Sequence, residues 1–171
     1  VAGPILRAKE VIPQFKKRPN FSYEFIFKGL RFLLYGLFLK VVLADNISIF
    51  VDEGFSLSVE NLSAIDVWTL AFLFGFQIYF DFSGYSFIAI GSARLMGIIF
   101  PNNFNFPYIS SSPKEFWKRW HISLSSWIRD YLYLPLNKKK VENRSVGGFK
   151  KSLKSSGSNK SLFITWGIMG L

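Results

Sequence analysis

The sequence predicts an all-α, polytopic integral membrane protein with amphipathic or re-entrant helices beside its spanning ones. Three observations carry that reading. Half of the 171 residues are hydrophobic, with 20 Phe, 7 Tyr and 5 Trp, more aromatic surface than a soluble domain of this length can use. Residues 67–93 form an apolar run of 27 positions that a single charge, Asp81, interrupts. The charges also alternate along the chain: basic at 7–18, acidic at 52–66, basic again at 94–160. Basic loops mark the cytoplasmic side of a membrane protein, so the order reads cytoplasm, outside, cytoplasm.

The elements follow in chain order. Residues 7–18 carry five basic residues and one acid, with Pro13 and Pro19 as helix breakers. A first membrane segment is expected at about 25–50; Lys28 and Arg31 near its start can snorkel to the headgroups, while Lys40 and Asp45 lie further along. Residues 52–66 hold four acids and no base, an outside-type loop. Residues 67–93 give a second segment, either one long helix or two pieces hinged near Ser83–Gly84. Pro101, Asn102, Asn103, Asn105 and Pro107 rule out a regular spanning helix in the next stretch. Such a stretch sits at membrane depth only where protein or water covers it. Residues 137–160 carry eight basic residues and one acid and read as a cytoplasmic loop, and 161–171 read as the start of a further membrane segment.

Between them lies SPKEFWKRWHISLSSWIRDYLYLPL, residues 112–136, which holds the only histidine of the chain, His121. Ser112 has the chemistry of a helix N-cap, Pro113 suits the first helical position, and Glu115 completes a capping-box pattern. Apolar residues recur at helical spacing behind it, which predicts one aromatic amphipathic helix over 113–134. Arg129 and Asp130, being adjacent, do not face each other on a regular helix, so each is expected to pair elsewhere.

The chemistry-bearing residues are few. With no cysteine there is no disulfide and no thiolate metal site, one histidine argues against a protein-only zinc site, and no metal is expected. His121 has two readings, an interfacial residue satisfied by a carbonyl or a general base. A serine-hydrolase reading is weak, because Ser123, Ser125 and Ser126 come with no nucleophile elbow. Asp81 is costly in an apolar run and marks either a function or a buried partner. The net charge of +10 reads as topology and lipid attraction, not as nucleic-acid binding. A transport or export subunit accounts for Asp81 and the basic loops, but leaves the His–Trp string without a role.

FQIYFDFSGYSFIAIG at 76–91, NFNFPY at 103–108 and FWKRWHISLSSWIRDYLYLPL at 116–136 resemble the membrane-bound O-acyltransferase (MBOAT) family, in its alginate O-acetyltransferase branch, which is related to the teichoic acid D-alanyl transfer proteins. The resemblance runs from about residue 1 to 136. It implies a bacterial cytoplasmic-membrane enzyme with helices around a tunnel. Such an enzyme moves an acyl group from a cytoplasmic thioester, acetyl-CoA or an acyl-carrier phosphopantetheine, toward a cell-surface polysaccharide or a periplasmic relay protein. No bound cofactor is implied. His121 matches the histidine of the family's WHxS motif and is the catalytic candidate. Asp81, Ser83, Tyr85, Trp117, Trp120 and Ser123 are the tunnel or substrate-positioning candidates; Lys118, Arg119 and Arg129 are the candidates for donor phosphates. The resemblance also implies a second, principal histidine beyond Leu171, so that residues 1–171 make up one partial domain, inactive as a fragment. Two departures stand out: relatives carry an acid where this chain has Phe87, and glycines where it has NKKK at 137–140.

Overall fold

The computed structural model describes residues 3–16 and 22–136. The basic loop expected at 137–160 and the segment at 161–171 lie outside the described residues. All regular structure among the described residues is helical. The chain divides into two compact units, Val1–Asn105 and Phe106–Leu171.

In the first unit, a short helix α1 (Ala8–Lys16) precedes a long one. The long helix runs unbroken over Tyr23–Ser56, 34 residues. It comprises α2 (Tyr23–Leu37), a π-helical segment π1 (Phe38–Ala44) and α3 (Asp45–Ser56). Ser22 caps it, its hydroxyl accepting from the Phe25 N–H at 3.2 Å. After a short link comes α4 (Ala64–Leu95), 32 residues. Both long helices exceed the roughly 20 residues that a bilayer crossing needs. Asp52 and Glu53, expected in a loop, belong to the last turns of α3, so the connection is shorter than the charges suggested.

The second segment is one helix, with no hinge at Ser83–Gly84. A capping box starts it: the Asp66 N–H donates to Ser63 Oγ at 3.3 Å, and the Ser63 N–H donates back to Asp66 Oδ2 at 2.9 Å. A Schellman turn ends it. Gly97, at φ 83°, lets its N–H reach the Arg94 carbonyl and the Ile98 N–H reach the Ala93 carbonyl, at 3.0 and 2.9 Å.

The two long helices pack antiparallel, and glycine sets how closely. A Cβ at Gly36 would stand 2.6 Å from the Gly84 carbonyl oxygen, and one at Gly91 would stand 2.6 Å from the Leu33 nitrogen. Backbone therefore meets backbone, the packing that small residues permit between membrane helices. Phe87, where relatives carry an acid, stacks on Phe32 with ring centroids 5.8 Å apart and meets Tyr35 edge-on at 4.9 Å.

The proline- and asparagine-rich stretch returns along α4. Asn103 is buried and its amide donates to Ser86 Oγ at 3.1 Å. Phe104 is buried edge-on to Tyr79 and Phe82. Ser86 lies nine residues inside the end of α4, about 13 Å along the axis. This non-helical backbone thus runs beside α4 with protein covering it, the cover that a segment at membrane depth requires. Gln14 ties α1 to the same stretch: its side-chain amide donates to the Ile99 carbonyl at 3.0 Å and accepts from the Ile99 N–H at 2.8 Å.

Candidate active site

The second unit does not contain the single helix expected over 113–134. It contains α5 (Pro113–Arg119) and α6 (Ile122–Ile128), followed by a π-helical segment over Arg129–Tyr133. The break falls at Trp120 and His121. Trp120 is extended, at φ −94° and ψ 129°, and His121 is left-handed, at φ 41° and ψ 56°. A left-handed residue that is not glycine crowds its own Cβ against the chain and signals a local constraint. Sequence periodicity carries no sign of such a break, because the apolar spacing runs straight through it.

Ser112 caps α5 as the sequence predicted, its hydroxyl accepting from the Glu115 N–H at 3.2 Å. The reciprocal bond is displaced by one residue. Glu115 Oε2 accepts from the Ser111 N–H at 3.0 Å and the Ser111 hydroxyl at 2.8 Å, and Oε1 accepts from Arg119 Nη2 at 2.7 Å. The Ser111 backbone N–H, then its hydroxyl, then Arg119 hold the Glu115 carboxyl down to about 2.

An aromatic cluster leads up to the break. Phe116 stacks on Trp120 at 5.6 Å, meets Trp117 edge-on at 5.5 Å, and lies 6.1 Å from Tyr108. His121 follows, half-buried, with its Nδ1 3.4 Å from the hydroxyl of Ser123, which is buried. The His121 carbonyl accepts the Ser125 N–H at 3.0 Å and so starts α6. Burial is the main influence on the imidazole and pushes its pKa below 6.5, against a smaller opposing effect of a backbone hydrogen bond. The ring is therefore neutral at pH 7, able to accept a proton at one nitrogen.

The three candidate phosphate contacts differ. Lys118 is exposed, whereas Arg119 is clamped by Glu115. Arg129 Nε lies 2.8 Å from Asp130 Oδ1, which corrects the expectation that the two pair apart. The long, exposed guanidinium arm folds back over its half-buried neighbour, so residue spacing on the helix does not decide the pairing. His121, Trp117, Trp120, Ser123 and these three bases all lie in the second unit; Asp81, Ser83 and Tyr85 lie in the first. Asp81 pairs with Lys40 of π1 at 2.6 Å. Ser83 is fully buried, and Tyr85 is half-exposed with its ring against Gly3. Reading the residues in order missed the Lys40–Asp81 contact, although two charges inside two apolar runs were signal enough to look for one.

Comparison with known proteins places these motifs. The sequence pattern of the membrane-bound O-acyltransferase family matches residues 1–147. The chain belongs to the membrane-bound O-acyltransferase family. It is 44% identical over 148 residues to a peptidoglycan O-acetyltransferase of Helicobacter pylori, a match covering 85% of this chain and 28% of the relative. It is 42% identical over 171 residues to a probable alginate O-acetylase AlgI of Pseudomonas putida, covering all of this chain and 32% of the relative. A teichoic acid D-alanyltransferase of Bacillus subtilis is 32% identical over 157 residues, covering 84% of this chain and 38% of the relative. The chain thus spans about a third of the length of the curated relatives it matches. As an MBOAT member it is a membrane protein, in keeping with its two long apolar helices.

Proposed function

We propose that this MBOAT chain supplies the His121 segment of a membrane O-acetyltransferase that acts on a cell-surface polysaccharide, in the bacterial cytoplasmic membrane. The observation that carries the reading is a half-buried imidazole, held neutral by its burial and presented at a left-handed break in an aromatic helix, within a family whose similar members are O-acetyltransferases. The donor is a cytoplasmic acyl thioester, acetyl-CoA or an acyl-carrier phosphopantetheine. Exposed Lys118 is the first contact for its phosphates, with Arg119 next to it in sequence and Arg129 eleven residues on. The acceptor is a sugar hydroxyl, reached directly or through a periplasmic relay protein.

In the reaction, the hydroxyl proton passes to an imidazole nitrogen as the hydroxyl oxygen bonds to the thioester carbonyl carbon. The carbon–sulfur bond then breaks and the thiolate leaves. A positioned histidine base contributes about 10²–10⁴-fold. Where a second histidine of the full gene product takes the proton, His121 holds the reacting hydroxyl in place.

The test is the O-acetyl content of surface polysaccharide in cells carrying the full gene product or its His121→Ala variant, with membrane levels matched. Acetylation falls by at least two orders of magnitude if His121 acts in the reaction; unchanged acetylation removes it from the mechanism. Because burial depresses the His121 pKa, the acid limb of the rate profile belongs below pH 6.5. A limb above 6.5 assigns the titration to another group. An export role is the second reading, favoured by the charges paired inside the long helices. It predicts that polymer leaves the cell less well in the variant while acyl transfer in isolated membranes is intact.

A further inference from the structure

Lys40 emerges where the two long helices come closest, since a Cβ at Gly84 would lie 3.2 Å from Lys40 Cβ. Its ammonium sits 2.8 Å from Asp45 Oδ1 and 2.6 Å from Asp81 Oδ1. The π turn brings these groups together. On a regular α-helix, residues five apart are rotated by about 140° and do not meet. In π1 the Asp45 N–H bonds the Lys40 carbonyl, so five residues make about one turn and the two side chains share a face. One turn along α4 from Asp81, the Gln77 side-chain oxygen is buried and accepts no hydrogen bond among the described residues.

Two carboxylates and one ammonium leave a net negative charge. Lys40 lies midway along Tyr23–Ser56 and Asp81 midway along Ala64–Leu95. Each is about 25 Å from its helix ends, beyond the reach of a snorkelling side chain. Yet the three charged side chains are 41%, 50% and 53% exposed on this helix pair. Charged groups at that depth face a protein interior or water, not hydrocarbon. A dry contact would leave more acceptors than donors, each unmade hydrogen bond carrying its desolvation cost.

We propose that Lys40, Asp45, Asp81 and Gln77 line a water-filled recess at mid-membrane, whose acceptors are satisfied by hydroxyl hydrogens of the water it holds. This proposal does not depend on the acyl-transfer reading. Thiols react with methanethiosulfonates as thiolates, and hence in water. The full gene product, freed of other cysteines and inserted in membranes, is treated with the water-soluble trimethylammonium methanethiosulfonate. Gln77→Cys reports on the recess. Ser48→Cys, one turn from Asp45 on α3 and nearly isosteric, reports on it if Gln77→Cys does not accumulate. Ser58→Cys reports on the link outside the helices. Phe72→Cys, nine residues from Asp81 and about half a turn round α4, reports on the opposite face. Labelling is expected at Gln77→Cys, Ser48→Cys and Ser58→Cys and not at Phe72→Cys. Labelling of Ser58→Cys alone means a dry contact and overturns the proposal. Equal labelling of Phe72→Cys overturns it too, because the reagent then does not distinguish the faces.

Discussion

His121 combines two demands in one residue. Its backbone sits at φ 41°, where a β-branched side chain is a true outlier and glycine is at ease. Its ring is the titratable group of the proposed site. Substitution can separate the two. His121→Gly and His121→Val both remove the imidazole and, on the proposed mechanism, should lower acyl transfer alike, but the valine variant is expected to be less stable by about 1–2 kcal/mol, measured as thermal unfolding of the full gene product in detergent. Equal melting temperatures would mean that the left-handed turn exerts no strain. Glu115 gives a second prediction at this scale. Its carboxyl is held at about 2 in the folded chain, against 4.5 when free. A carboxylate favoured by folding stabilises above its unfolded pKa and loses that effect as pH falls through the folded one. The difference in stability between the natural chain and Glu115→Gln is therefore full above pH 4.5 and fades toward pH 2, followed by fluorescence of the neighbouring tryptophans. A difference that is flat over that window would show that the carboxylate is no better held folded than unfolded.

At the scale of elements, the seam between the long helices depends on positions with no side chain. An added Cβ at Gly36 or Gly91 comes within 2.6 Å of backbone, which cannot swing aside, whereas one at Gly29 meets the Leu95 side chain at 3.1 Å and backbone, the Gly91 carbonyl oxygen, only at 3.3 Å. Gly36→Ala and Gly91→Ala should each cost about 1–3 kcal/mol by overpacking, and Gly29→Ala clearly less; melting of the detergent-solubilised protein checks the order. Equal losses would mean that the helices separate freely. The sequence made both long helices legible, because apolar length is a local property. It also made the Ser112 cap legible, since a cap needs only neighbours three residues away. It did not reveal the break at His121 or the π turns. Those depend on which backbone groups find partners, and the apolar spacing is the same with or without them. The partner of Asp81 stayed hidden for another reason: Lys40 is 41 residues away, and only the antiparallel packing of the helices brings it to 2.6 Å. The displaced capping bond at Ser111 shows the same limit over one residue, since Ser111 and Ser112 offer the same hydroxyl.

For the whole molecule, the antiparallel pair puts the start of α2 and the end of α4 on one side and the short link at 57–63 on the other. With the charge pattern, that predicts the link on the outer side and the end of α4 on the cytoplasmic side. In intact cells an impermeant thiol reagent should reach Ser58→Cys and miss Met96→Cys, at the exposed end of α4, and in inverted vesicles the pattern should reverse. The same reagent reaching both from one side would rule out the paired crossing. The π segment has a further consequence for this arrangement. It acts as a slack turn, taking up one extra residue so that the inner and outer halves of the first long helix keep one phase around the axis. Excising a single residue between Lys40 and Asp45, at Leu43 for instance, would let the segment relax to ordinary α geometry. The span would shorten by only about 1.5 Å, and everything beyond the cut would stay within about 40° of its direction relative to α2, because four residues of α-helix turn through about 400° where the five of the π turn make about one turn. Asp45 would then stand four residues from Lys40, a spacing at which side chains still meet, and Gly54 would still face Leu70. In this helix a one-residue gap at the π turn keeps direction, whereas the same gap within α2 or α3 turns everything beyond it by about 100°, so the place of a deletion, not its length, decides whether it is tolerated.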